Sequence, residues 1–306
     1  MFNSRYIRVL HNGKRSYAKF PNLKNGIYIF CIALLVRVIY ISFFVESSYL
    51  FSEDQTLYIQ LANQFPSSGF LGVTPKRVPG YPLFVSTIFT IFDKDLWNVI
   101  LIQALLDSIS CVIIALMAKS IFGKGFWIAG ILSVANLNMI ILSSTLLTDT
   151  LFLFLFILFL FSLLQYLKSE HIAWFFLLVL FISLATLVRS VSYYLLPILL
   201  IWLLGWRLWK KDSILKICAL AISYVFIVGV LLGSIHQRNY QQYGSTAFIT
   251  QTGGAVLGWV VPATYQYSGM GSYQDGQKLV KKRLDLALQK DHLLELPSNP
   301  FESSAY

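Results

Sequence analysis

Between residues 26 and 235 of this 306-residue chain, apolar runs of about twenty residues recur, and ionisable side chains are nearly confined to the gaps between them. That spacing leaves few choices of fold. A run of this length surrounds its own backbone with hydrocarbon, where only a helix satisfies every N–H and C=O group within one segment. With 57% hydrophobic residues, 12% charged residues and a mean hydropathy of +0.66, the chain is expected to be an all-α polytopic membrane protein. Crossings are expected near 26–45, 98–119, 126–143, 147–167, 172–188, 192–209 and 213–235, a bundle of about seven helices.

Charge orients the bundle. Residues 1–25 carry Arg5, Arg8, Lys14, Arg15, Lys19 and Lys24 and no acid, which marks a cytoplasmic N-terminus rather than a cleaved leader. The segment 79–92 offers about 13 apolar residues, too few for ~30 Å of hydrocarbon, and reads as a re-entrant or interfacial helix. If it does not cross, Lys119, Lys124, Lys168, Arg207, Lys210, Lys211 and Lys216 all share the side of the N-terminus. Asp54, Asp149 and Arg189 then share the opposite side. The expected organisation is therefore a basic segment 1–25, a membrane core 26–235 with a first outer loop at 46–97, and an outer-facing segment 236–306. In that last segment the Gly/Tyr/Ser-rich stretch from Gly253-Gly254 to Gly276 reads as loop. Residues 277–296 read as an amphipathic helix with Lys281-Lys282-Arg283 on its solvated face. The chain stops soon after, at Ala305-Tyr306, which reads as a fragment of a longer protein.

Several functions are disfavoured at once. The net charge of +10 follows the gaps between crossings, so nucleic acid is not an expected partner. Cys31, Cys111 and Cys218 lie inside apolar runs and read as small buried hydrophobes. The four histidines have no metal-ligand spacing, so no metal or other cofactor is expected. Two charges lie within crossings, Arg37 in the first and Asp107 in the second. Each costs ~2.5–3.5 kcal/mol on insertion scales and needs a partner: the other member, Gln103, or water. A pair holding the bundle in register is the expectation.

The outer-facing polar residues, Glu53, Asp54, Tyr58, Lys76, Arg77, Asp149, Arg189, Arg238 and Asn239, sit at or near helix exits on one face. A carboxylate that takes a hydroxyl proton, beside guanidiniums that grip phosphate bidentately, suits group transfer from a phospholipid-type donor. Each residue also has an ordinary use as an interfacial anchor or cap; Thr148 and Asp149 are good N-cap chemistry for the helix they open. Register separates the two neighbouring acids, because Asp54 lies four residues before Tyr58 and shares its helix face, whereas Glu53 does not.

The order of these groups resembles a known family. Asp54-x3-Tyr58 with Leu61-Ala62 precedes Arg77-Val78-Pro79-Gly80-Tyr81-Pro82-Leu83-Phe84. Then come Leu147-Thr148-Asp149-Thr150-Leu151-Phe152, Leu184-Ala185-x2-Leu187-x-Arg189, and Arg238-Asn239-Tyr240 with Gly244 and Gly253-Gly254. Over about residues 26–260 this is similar to the GT-C superfamily, in its protein O-mannosyltransferase and aminoarabinose-transferase-like group. The resemblance implies a GT-C-like bundle with a first outer loop of juxtamembrane helices, in a bacterial inner membrane with the site on the periplasmic face. It implies an inverting glycosyltransferase that moves a sugar from a polyprenyl-phosphate donor to a hydroxyl on protein, lipid A or polysaccharide. Asp54 matches the catalytic acid. Glu53, Tyr58 and Asp149 are candidates for assisting it or orienting the acceptor, and Arg77, Arg189, Arg238 and Lys76 for binding the donor phosphate. A lipid or sugar transporter and a non-catalytic assembly protein are the competing classes. The first would show repeated halves with helices broken at midplane, and no repeat is visible.

Overall fold

The computed structural model describes residues 23–46, 53–68, 75–250, 256–291, 296 and 298–300. The basic segment 1–22, Gly253-Gly254, the side chain of Glu53 and the last six residues lie outside that set. Among the described residues all regular structure is helical: α1 (Leu23–Phe44), α2 (Glu53–Ser68), α3 (Gly80–Ile91), α4 (Leu96–Phe122), α5 (Phe126–Val134), α6 (Leu137–Ser143), α7 (Asp149–Ser169), α8 (Ile172–Val188), α9 (Leu195–Trp209), α10 (Ile214–Tyr243), α11 (Val261–Tyr267) and α12 (Tyr273–Lys290). A 3₁₀ turn, Ser190–Tyr194, leads into α9, and a π turn, Val256–Val260, into α11.

Helices α1, α4, α7 and α10, and α9 with its 3₁₀ turn, are each long and apolar enough to cross a membrane. Their outward faces keep large apolar side chains exposed, such as Ile32, Leu35 and Ile39 on α1 and Ile222, Phe226 and Val230 on α10. That pattern fits a lipid surround rather than water. The crossing expected at 126–143 is broken: α5 and α6 meet at a bend of 52°. Asn136 causes the break, because its extended backbone leaves the helix and its side chain accepts the Met139 N–H, starting a new one. Helix α8 has 17 residues, about 25 Å at 1.5 Å per residue, so it is shorter than the other expected crossings. Helix α3, with 12 residues, reaches only about 18 Å.

The chain divides into two compact units, one drawn from Met1–Leu50 and Val99–Phe181, the other from Phe51–Asn98 and Ile182–Tyr306. In the first, Ile29 and Ala33 of α1 pack with Cys111 and Ala115 of α4, Phe126 and Val134 of α5, and Met139 of α6. Arg37 is enclosed within this core. Its Nε donates to Asp107 Oδ2 at 2.5 Å, Nη1 to the carbonyls of Ala33 (3.1 Å) and Val134 (3.4 Å), and Nη2 to Cys111 Sγ at 3.3 Å. The expected pair is thus formed. Gln103 is occupied elsewhere: its amide donates to the carbonyls of Ser143 (3.2 Å) and Thr145 (2.7 Å), at the end of α6.

Three local expectations are corrected. Cys31 and Cys218 are exposed on membrane-spanning helices, and Cys111 alone of the three is buried. Thr148 precedes α7 in helical backbone geometry and makes no side-chain cap, so Asp149 contributes to that terminus as a first-turn acid. The stretch expected as loop before Gly276 contains α11 as well as the π turn. Gly276 lies inside α12, where a Cβ would come 2.7 Å from Pro262 Cα, so its missing side chain lets α11 and α12 touch.

In the second unit, Asp212 joins α9 to α10. Its Oδ2 accepts from Arg207 Nη1 at 2.9 Å and its Oδ1 from Lys216 Nζ at 3.1 Å. Burial pushes the Asp212 carboxyl up, but the Lys216 hydrogen bond and the Arg207 charge together hold it below the ordinary carboxylate value.

Two outcomes follow from these pairs. Arg37→Met or Asp107→Leu alone should cost about 3–5 kcal/mol by stranding the other charge, and the double substitution should cost less than either single one. Thermal denaturation of the detergent-solubilised variants measures this; additive losses would refute pairing as the stabilising contact. The depressed Asp212 carboxyl stabilises the fold above the ordinary carboxylate pKa of about 4 and loses that contribution as pH falls below it. The stability gap between wild type and Asp212→Asn should therefore be present at pH 7 and close under acid.

Candidate active site

The second unit brings the first-loop acid to a basic turn. Helix α2 carries Asp54 and Tyr58 one turn apart, as the register requires. It packs on α3 through Tyr58 and Tyr81, whose rings meet edge-on at 5.0 Å. Below them Leu57, Leu61 and Phe65 form an apolar patch. Between α2 and α3 the turn at 75–79 presents Lys76, which is exposed, and Arg77. The Arg77 Nη2 donates to Asp54 Oδ1 at 2.5 Å, and its guanidinium carbon stands 5.7 Å from the centre of the Tyr58 ring. Arg77 therefore touches both members of the Asp54/Tyr58 pair. Asp54 keeps 57% of its side chain exposed and Arg77 20%, so the ion pair faces outward.

The short motif around Arg77 has a structural reason. Pro79 precedes the first residue of α3, and Gly80 begins the helix against the end of α8. A Cβ on Gly80 would sit 2.5 Å from the Leu187 carbonyl oxygen, a clash with backbone that cannot turn away. Glycine therefore fixes how closely α3, and the turn carrying Arg77, approach α8. Arg189 follows two residues after Leu187; its carbonyl accepts from the Ser192 hydroxyl at 3.1 Å, which closes the 3₁₀ turn.

A second cluster forms at the end of α10. Asn239 is fully enclosed, and its amide donates to the carbonyls of Ala247 (2.7 Å) and Phe248 (3.1 Å). Arg238 is buried beside it, donating from Nε and Nη2 to Asn239 Oδ1 at 2.9 and 2.8 Å. His236 Nδ1 lies 2.7 Å from the Thr246 carbonyl, which only accepts, so this nitrogen carries the proton. The other nitrogen then accepts from the Tyr193 hydroxyl at 3.4 Å, and Tyr193 stacks on Phe248 with ring centres 4.7 Å apart. The loop so held returns to the basic turn, where the Thr250 N–H donates to the Pro75 carbonyl at 3.1 Å.

Arg77 thus contacts both Asp54 and Tyr58, Lys76 is next to it in the chain, and the loop held by the Arg238 cluster reaches the same turn through Thr250. Asp149 opens α7 in the first unit, and Glu53 opens α2. Sequence reasoning missed Gln55 and Thr250, both more than nine-tenths buried, whose side-chain oxygens have no hydrogen-bond partner among the described residues. It also missed His236 and Tyr193. The signal for His236 was present, since the apolar run of α10 ends at Ile235 and His236 opens the polar end, residues 236–243, that also carries Arg238 and Asn239.

A family model for dolichyl-phosphate-mannose-protein mannosyltransferases matches residues 75–232, just over half of the chain. The chain belongs to this family. It is accordingly a GT-C type glycosyltransferase that depends on a polyprenyl-phosphate sugar. The match contains Lys76, Arg77, Asp149 and Arg189 of this glycosyltransferase, while Glu53, Asp54, Tyr58 and Arg238 lie outside it. No curated protein matches the chain.

Because Gly80 meets backbone, Gly80→Ala should destabilise the solubilised enzyme by about 1–3 kcal/mol. Gly229→Ala, where a Cβ meets nothing within 4 Å, should not destabilise it. Equal melting temperatures for the two variants would show that the α3–α8 approach is not tight.

Proposed function

We propose that this enzyme transfers a sugar from a polyprenyl-phosphate carrier to a hydroxyl acceptor on the outer face of the membrane, with inversion, and that Asp54 is its general base. The observation that carries this reading is the exposed Asp54–Arg77 pair on the Tyr58 ring. The acceptor oxygen attacks the anomeric carbon as its proton passes to Asp54. The bond from that carbon to the phosphate oxygen breaks, and its electrons leave with the phosphate. Arg77, Lys76, Arg189 and Arg238 offset the charge that develops on this leaving group, a task that can also fall to a divalent cation, so a metal-independent reaction is favoured. Glu53 orients the acceptor.

The Arg77 contact also suggests an order of events. An exposed ion pair is worth roughly 0–1 kcal/mol, and a guanidinium also grips phosphate bidentately through charge-assisted bonds. The donor phosphate therefore draws Arg77 away from Asp54 Oδ1 and leaves that oxygen for the acceptor hydroxyl. Donor binding in this way prepares the base.

The family name makes mannose the first sugar to test, with other hexoses and pentoses after it, and protein, lipid A and polysaccharide as acceptors. The experiment reconstitutes the full-length protein in proteoliposomes with labelled polyprenyl-phosphate sugars. Asp54→Asn should reduce transfer by about 10²–10⁴-fold with the donor still bound. Arg77→Ala should weaken donor binding as well as turnover. Near-normal transfer by Asp54→Asn would remove it as the base. No consumption of any donor by wild type would favour a transporter or an assembly protein.

A further inference from the structure

We propose that the segment Val256–Lys290 is a lipid-binding module that lies on the bilayer surface and holds anionic headgroups through one stripe of α12. Turn Val256–Val260, α11 and α12 form a small sub-bundle. The Tyr273 hydroxyl donates to the Gly258 carbonyl at 2.9 Å, and Gly276 abuts Pro262. Tyr273, Gly276, Val280, Leu284, Ala287 and Leu288 recur at helical spacing and turn inward, buried or half-buried. Those contacts account for the apolar residues of α12 except two.

Leu279 and Leu286 stand seven residues apart on a different side of the helix, and both are exposed, Leu286 by 50%. Exposed cations flank them at neighbouring helical positions: Lys282 and Arg283 one turn from each leucine, and Lys290 one turn beyond Leu286. An apolar line edged by long cationic side chains is the pattern of a helix lying in the interfacial plane, with leucines in the acyl boundary and charged heads reaching the phosphates. A purely solvated basic face would not place leucines between its cations.

Charge favours lipid over a protein partner. Helix α12 carries Lys278, Lys281, Lys282, Arg283 and Lys290 against Asp275 and Asp285. Asp275 is engaged at the helix start, accepting from the Ser272 hydroxyl at 2.7 Å in a capping box, and this hydrogen bond holds its carboxyl below the usual range. The rest of the module carries the residues that favour a headgroup layer, with Trp259, Tyr267 and Met270 all strongly exposed. The module follows α10, itself apolar enough to span the membrane, so a bilayer is always within reach of its tether.

The test uses the full chain in lipid nanodiscs, on a background with Cys31→Ala, Cys111→Ser and Cys218→Ala, and single cysteines introduced on α12. A water-soluble maleimide reads exposure. In nanodiscs with roughly one-third anionic phosphatidylglycerol, Leu279→Cys and Leu286→Cys should react several-fold more slowly than Gln274→Cys and Asp285→Cys on other sides of the helix. The difference should shrink in pure phosphatidylcholine at high salt, and after Lys282→Glu with Arg283→Glu, exposed changes that leave the inward stripe intact. Equal reactivity of the two sets in anionic nanodiscs would overturn the proposal. Protection that persists regardless of lipid charge would also overturn it, in favour of a second copy or another protein covering the leucines. The readout needs no sugar transfer, so it stands or falls separately from the enzymatic reading.

Discussion

The Arg37 guanidinium sits where hydrocarbon should be, and the first unit is organised around satisfying it. A lone charge in a crossing is expensive, and so is a backbone carbonyl released by a broken helix. Here each cost offsets the other. The break at Asn136 ends α5 and frees the Val134 carbonyl, which accepts from Arg37; Asp107, Cys111 and the Ala33 carbonyl complete the shell. Gln103 repeats the device one helix end later, donating to the Ser143 and Thr145 carbonyls beyond α6. Two polar side chains thus fix where the span bends and where it ends, and α1, α4, α5 and α6 are registered by the same contacts.

The second unit applies the device at the membrane exit of α10. Asn239 has no exposed surface, and its amide and carbonyl groups are both occupied, so the loop through Ala247 and Phe248 has one position. His236 and Tyr193 add a second tie to that loop. These enclosed bonds are costly to break because no water replaces them. The Asp54–Arg77 pair differs in kind. It has comparable geometry but lies open to solvent, where exchange for another partner costs little. Rigid, buried polar contacts set the frame, and the contact at the candidate site is the exchangeable one.

Much of this was legible in the sequence, for identifiable reasons. Length and apolarity located the spans because a membrane helix needs no packing partner to be recognised. Charge scarcity singled out Arg37 and Asp107, and a four-residue register joined Asp54 to Tyr58. The bend at 135–136 was hidden because the apolar run continues through Asn136, and one polar residue does not reveal whether it caps or merely packs. Helix α11 was hidden because glycines on both sides of Val261–Tyr267 read as loop, although Gly276 is there for the close approach to Pro262. Cys31 and Cys218 were misplaced because hydrophobic composition does not tell a lipid-facing side from a core-facing one. Gln55 and Thr250 gave no local signal, since their burial belongs to the folded second unit and not to the residues beside them in the chain.

These contrasts bear on why an acid meant for proton transfer would be on α2. Asp107 is enclosed with Arg37 at 2.5 Å, and releasing that contact would strand two charges in the core. Such a carboxylate is held too firmly to exchange partners during a reaction. Asp54 meets an arginine at the same distance, yet on a short helix outside the apolar runs, where either partner can turn to solvent or substrate. Distance alone does not separate a structural carboxylate from a reactive one. The separation lies in what replaces the partner when the pair opens, which is hydrocarbon for Asp107 and water for Asp54, or a hydroxyl in the reaction proposed above.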